Sequence, residues 1–260
     1  MRPGMKPGVR GVVPLDVKLL FALFLCGSWT CATQPAAIPP ARPSVSHRVA
    51  AADDDPGASP RPADAETDVA YYRVRAAALT AETPAEIGPT DFGRFRRGRL
   101  YLTDAGDPQG AKTLQGRLTT AFDGNDSRAI LEITAKILAD DQADIRAHML
   151  RAIALRKVGR SREADFHRAV ALGLIDSIVR TGDGRAAKSA WTVFRVKEEY
   201  EVIKVMGCTV ESQSLISEGG RRFDILEARK APAGPTIRAY FDITELFAEE
   251  GREVEGRQAK

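Results

Sequence analysis

The hydrophobic pattern of the chain changes period once, at residues 173–184, which read Gly-Leu-Ile-Asp-Ser-Ile-Val-Arg-Thr-Gly-Asp-Gly. Upstream, apolar residues recur every three to four positions, the spacing of a helix face; downstream they alternate, the spacing of a half-buried strand. Val69, Tyr72, Ala76 and Leu79 mark a first helix over 68–79. Four more helices are predicted over 111–122, 127–139, 144–158 and 161–172. Corresponding starts lie about 34 residues apart, and Gly124 and Gly159 repeat at about the same interval, which is the period of tetratricopeptide repeats, stacked antiparallel helix pairs. The second pair is the clearer one, with Ala147, Leu150 and Ala154 before Gly159 and Ala164 and Val170 after it. Between the first helix and these pairs, residues 82–110 are interrupted by Pro84, Gly88, Pro89, Gly93, Gly98, Gly106 and Pro108 and read as one long loop.

Beyond Gly184 a strand is predicted over 191–196, then a short helix over 197–206 with Tyr200, Ile203 and Met206 on one side. Three further strands follow over 208–216, 222–228 and 237–243, separated by turns at Glu218-Gly219-Gly220 and at Pro232-Ala233-Gly234-Pro235. Asp242 caps a last helix over 244–250, with Glu245 reaching back in a capping box, which leaves 251–260 as a flexible tail. The expected fold class is α+β: a helical, tetratricopeptide-like region over 66–182 followed by a small antiparallel sheet module over 183–250. The 173–184 segment joins them. It ends the last repeat helix through Gly173, makes a short helical turn, and aims the chain into the sheet through Thr181 to Gly184.

The N-terminus reads differently. Arg2, Lys6, Arg10 and Lys18 flank the apolar run Leu19 to Cys26, and small or polar residues follow, which is the layout of an export signal over 1–32. The apolar run is about half the roughly 20 residues that a spanning helix needs, so a cleaved signal peptide fits it better than an uncleaved anchor. Cys31 raises a lipoprotein reading, although Ser28-Trp29-Thr30 is a poor match to such a site. Residues 33–65 are Pro-, Ala-, Asp- and Ser-rich with almost no large apolar residue, a composition that cannot offset its ordering entropy and reads as a tether.

Removing the leader changes the charge. The chain has 38 basic and 35 acidic residues, of which the first 32 hold four and one, leaving 34 of each sign. The excess positive charge belongs to the leader and gives no argument for nucleic acid. Only Cys208 remains after cleavage near Ala32, so no internal disulfide is available and the core must hold the fold alone.

Five short stretches carry a resemblance: Gly173-Leu174-Ile175-Asp176-Ser177-Ile178, Thr181-Gly182-Asp183-Gly184, Ala190-Trp191-Thr192-Val193, Glu198-Glu199-Tyr200-Glu201 and Tyr240-Phe241-Asp242-Ile243. On these the chain resembles an uncharacterised bacterial family, DUF4919, from about residue 68 to 249 and most closely after His148. The resemblance implies a leader, a helical half and a sheet half. The family has no assigned activity or ligand, so no functional residue carries over.

Histidine supplies the sharpest chemical hint. His148 and His167 fall on the two helices of one hairpin, and Asp144 lies one turn before His148 on the same face. These three, with Asp183 in its Gly-Asp-Gly turn, are the candidate metal set; no catalytic or cofactor-binding residue is assigned. Taking the hairpin midpoint near Arg160, the histidines are staggered by roughly 7 Å along the axis, so one ion would be hard to share. Hydrogen-bonded interior histidines are the plainer reading. Asp183 is equally served by a tight turn, and Ser177 lacks the Gly-x-Ser-x-Gly elbow of a nucleophile. Arg94, Arg96, Arg97 and Arg99, interleaved with Phe92, Phe95 and Tyr101, read as a solvated loop pinned by its aromatics. Glu198 and Glu199 read as a solvated helix start. No P-loop, dinucleotide fingerprint, zinc-finger spacing or His-Glu-x-x-His motif occurs.

The expected function is that of an exported, periplasmic or secreted envelope protein serving as a non-catalytic scaffold for a protein or peptide partner. It involves no cofactor and no nucleic acid, and touches the membrane only through a lipid anchor or an uncleaved leader. The alternative is a metal-assisted hydrolase using His148 and His167 with Asp144 or Asp183.

Overall fold

Nine helices and four strands follow one another along the described residues, which in the computed structural model are 61–102, 108–230 and 234–258. The leader and most of the tether predicted at the N-terminus lie outside them. In order the elements are α1 (Ala65–Leu79), α2 (Pro84–Ile87), α3 (Phe92–Leu100), α4 (Pro108–Asp123), α5 (Ser127–Asp140), α6 (Ile145–Lys157) and α7 (Ser161–Val179). After a 3-10 turn at Ala187–Ser189 come β1 (Trp191–Thr192), α8 (Val196–Val205), β2 (Cys208–Glu218), β3 (Arg221–Lys230), β4 (Thr236–Asp242) and α9 (Thr244–Gln258). The fold is α+β.

Helices α4 to α7 each pack on the next. The apolar stripes of α4, α5 and α6 meet in one cluster that includes Leu118, Ile130, Ile133, Ile137, Leu138, Leu150 and Ala154, and burial of these side chains is what holds helices of this length together. Aspartates start three of the helices. Asp91, Asp126 and Asp144 each accept a backbone N–H of the first turn, from Arg94, Ala129 and Ala147 at 3.1, 3.0 and 2.8 Å, which satisfies donors that the helix itself cannot.

The loop expected over 82–110 is instead largely helical. α2 and α3 occupy it, and α3 packs against both α1 and α7. Its two glycines lower intrinsic helix propensity, but Phe95 is fully buried against Tyr72, ring centroids 4.7 Å apart, and tertiary packing decides the conformation. Gly173 does not end a helix: α7 runs through it to Val179. The glycine is there for contact, because a Cβ at that position would collide with the ring of Phe92.

The sheet has the order β1-β4-β3-β2 and is mixed, not antiparallel. β2, β3 and β4 form an antiparallel meander, whereas β1 pairs parallel with β4, with Trp191 opposite Phe241 and Thr192 opposite Asp242. β1 is only two residues long because Val193 and Phe194 already turn into α8. The 173–184 segment enters β1 through a clasp around the indole. Trp191 lies over Gly184, whose φ of +67° few side chains adopt and whose absent Cβ would strike the ring. Trp191 Nε1 donates to the Gly182 carbonyl at 3.1 Å, and Tyr240 of β4 donates its backbone N–H to the Gly184 carbonyl at 2.8 Å.

Two details of the C-terminal helix depart from the sequence pattern. Glu245 does not reach back to cap α9; it accepts the hydroxyl of buried Tyr101. The expected flexible tail over 251–260 is helical as far as Gln258.

Candidate functional site

His148 on α6 and His167 on α7 are both buried, at 0% and 2% exposure, and their Nδ1 atoms stand 2.9 Å apart. The expected stagger is smaller than the midpoint reckoning gave. From the observed helix ends, Lys157 and Ser161, the two residues differ by three positions, or roughly 4.5 Å along the axis, and the rings close that gap.

Their outer partners fix which nitrogens carry protons. His148 Nε2 is 3.0 Å from the Gln142 carbonyl, which only accepts, so His148 Nε2 is the protonated one. Arg151 Nε, which only donates, is 2.8 Å from His167 Nε2, so that nitrogen offers a lone pair. His167 must then carry its proton on Nδ1 and donate it to Nδ1 of His148. The result is a relay running one way: Arg151 to His167, His167 to His148, His148 to the Gln142 carbonyl. Both rings are neutral in it. Burial pushes His148 down to about 3, with His167 adding to the effect. Burial and then Arg151 push His167 down to about 3 as well.

The candidate metal set is not assembled. Two nitrogens bound to one tetrahedral zinc stand roughly 3.3 Å apart, more than the 2.9 Å between the Nδ1 atoms, and each histidine's Nε2 is occupied by another partner. Asp144 turns away from His148. It caps α6 and accepts from Gln115 Nε2 at 2.9 Å and Lys197 Nζ at 2.7 Å. Asp183 is held in its own turn, accepting the Arg185 backbone N–H at 3.0 Å and the Ser189 hydroxyl at 2.6 Å. Among the described residues no group of three or more His, Cys, Asp or Glu could hold a metal ion. The residues present do not fit one.

Beside the relay lies a buried ionic joint between the helical and sheet halves. The short link between α5 and α6 presents Asp141, which accepts from Lys197 Nζ at 2.8 Å and from Arg195, with Arg99 3.5 Å away. Burial alone would raise Asp141, but Arg195, Lys197 and Arg99 outweigh it and hold the carboxyl below the usual range. One step further in, Arg96 of α3 pairs with Glu198 of α8 at 2.6 Å, and its Nε donates to Ser177 Oγ at 2.9 Å. Its guanidinium also lies 5.0 Å from the centroid of the Phe194 ring. Glu198 accepts the Phe194 backbone N–H at 3.0 Å as well. Burial again opposes ionisation of Glu198, and Arg96 followed by Arg195 overcomes it. The arginines are thus not a solvated loop, and Glu198 and Glu199 are buried, not solvated.

Where α1, α3 and α7 meet, a groove of about 410 Å³ opens to solvent, lined among others by Thr67, Asp91, Arg94, Arg97, Ser177 and Thr181. Arg94 and Arg97 each bond the buried Asp68 at 2.6 Å while remaining 40% and 29% exposed.

A family model described as a domain of unknown function (DUF4919) matches residues 108–252. The chain belongs to this family. No curated protein and no solved structure matches it. The DUF4919 match takes in both histidines, Gln142, Arg151 and the Asp141–Lys197 joint, whereas Glu82 and Arg96 precede it. Sequence reasoning missed Gln142, Arg151, Glu82 and Arg195. Arg151 alone carried a local signal, since it lies three residues from His148 on the same helix face; the others arrive by chain topology.

Proposed function

We propose that this DUF4919 protein is an exported envelope protein acting as a non-catalytic scaffold for a protein or peptide partner. The observation that carries the reading is the contrast between two polar regions. The histidine relay is satisfied inside the protein, which leaves no activated base or open metal position there. The groove between α1, α3 and α7 instead offers half-exposed Arg94 and Arg97 beside the hydroxyls of Thr67 and Thr181. Asp64, Asp68 and Asp91 line the groove beside its arginines, and this mixed charge, with the threonine hydroxyls, suits a peptide segment that presents both donors and acceptors. The helix pairs α4–α5 and α6–α7, read as tetratricopeptide-like, give such a groove a rigid support by fold-level analogy. Export rests on the leader pattern over 1–32.

The test is a photo-crosslinking residue placed at Thr67 or Thr181, and at exposed Lys112 as control, in cells that make the protein. Discrete adducts at the groove positions, lost on Arg94→Glu, support the scaffold. Adducts no richer than those at Lys112, or turnover of ester, peptide or phosphate substrates by the purified protein, overturn it. Mass spectrometry of the mature N-terminus tests export: a start within 27–38 agrees with it, and an intact Met1 does not.

A further inference from the structure

Two groups of opposite charge contend for one nitrogen of the relay. Arg151 Nε lies 2.8 Å from His167 Nε2 and Glu82 Oε1 lies 3.2 Å from the same atom. A neutral ring offers Nε2 a lone pair and suits only the arginine. A cationic ring carries a proton there and suits only the carboxylate. Glu82 is held within reach of both, since Arg151 also donates to it at 3.3 Å. Its backbone φ is +53°, a left-handed conformation uncommon outside glycine, at the turn that ends α1.

The other end of the relay is mechanically placed. His148 donates to the Gln142 carbonyl, while the Gln142 backbone N–H donates to Tyr72 Oη at 3.2 Å. Gln142 lies between Asp141 and Asp144, the two carboxylates that hold Lys197 from the sheet half. Arg151 also bonds the Leu131 carbonyl of α5 at 3.0 Å, so both ends of the relay reach neighbouring elements.

We propose that the His148–His167 pair is a proton-operated latch in which the first proton moves His167 from Arg151 to Glu82 and the second parts the rings and frees the Gln142 link. Both protons come from solvent and only N–H bonds form. The first adds to His167 Nε2, which then donates to Glu82, and the Nδ1–H donation to His148 survives. The second adds to His148 Nδ1, where it meets the proton of His167 Nδ1. Two donors then face each other at hydrogen-bond distance and the α6–α7 contact cannot stay closed. The charged groups facing the pair are Glu82 from the α1–α2 turn, Asp141 and Asp144 from the α5–α6 link, Arg151 from α6, and Arg160 and Glu163 from the head of α7. The carboxylates favour proton uptake and the arginines resist it.

Hydrogen exchange of the purified protein between pH 7.5 and 5.0, corrected for the intrinsic pH dependence of exchange, reads the latch directly. Opening at the 142–151 and 164–171 amides is expected to rise about tenfold per pH unit below 6.5 for one-proton coupling, and up to about a hundredfold for two. His167→Gln is expected to flatten that slope. Glu82→Gln, which removes the partner for the cation, is expected to disfavour proton uptake and reduce the rise in opening between pH 7.5 and 5.0. Opening independent of pH in the wild type, or an unaltered slope in His167→Gln, overturns the latch. Should a variant not fold, the ring ¹⁵N titration of the wild type decides: His167 Nε2 must gain its proton before His148 Nδ1, and the reverse order overturns the proposal.

Discussion

Arg96 and Glu198 stand 102 residues apart in sequence and form an ion pair at 2.6 Å in which each side chain is 1% exposed. The pair ties α3 to α8, one on each side of the junction between helices and sheet. Such a pair is costly to halve, because the remaining charge is left buried. Glu198→Gln or Arg96→Met alone is expected to lose about 3–5 kcal/mol. The double variant Arg96→Met/Glu198→Leu is expected to lose less than either single change. Denaturant unfolding of the three variants checks this, and additive losses would contradict it.

Gly173 and Phe92 make a second long-range relationship. A methyl group at 173 meets the ring of Phe92, so Gly173→Ala is expected to cost roughly 1–3 kcal/mol by overpacking. Combined with Phe92→Ala, which vacates that space, the loss should fall below the sum of the two single losses. Thermal unfolding of the four proteins measures the coupling.

Global stability should depend on pH in a window set by the histidines. In the folded chain both are pushed down to about 3, below their ordinary value near 6.5. The unfolded chain therefore takes up protons first. The stability contributed by neutral burial is complete above pH 6.5 and is lost as pH falls toward 3, at about 1.4 kcal/mol per pH unit for each proton. Asp141 and Glu198, held low by their arginines, add their own losses only below the ordinary carboxylate range. Between pH 6.5 and 4.5 the slope thus belongs to the relay, opposed in its lower part by Glu245, whose carboxyl burial raises. Unfolding followed by the fluorescence of Trp191 should show it in the wild type and a flatter slope in His148→Gln/His167→Gln.

Local signals carried much of the architecture into the sequence. α5 is legible because its apolar period is clean, and Asp126 and Asp144 sit where the caps of α5 and α6 belong. The strands β2 to β4 are legible from alternation between turn residues. α3 is not, because Gly93 and Gly98 disfavour a helix locally, and contact with α1 and α7 selects it. Gly173 reads as a stop by composition and is a contact by geometry. The parallel pairing of β1 depends on where α7 delivers the chain, which no local pattern records. The site divides in the same way. His148, His167 and Asp144 stand out as residue types, but what each one touches is set by packing. Asp144 illustrates this: its spacing from His148 suggested a shared ligand face, yet as a cap its carboxylate turns back to the Ala147 N–H and outward to Lys197.

The histidines of this DUF4919 protein serve one another and not a metal ion. Ring ¹⁵N spectra of His148 and His167 at pH 7.5, recorded with and without excess zinc, test it most directly. The account requires protonated Nε2 on His148, protonated Nδ1 on His167, and no change in either ring on adding zinc. The opposite tautomers, or ring signals of both residues displaced by zinc, would contradict it.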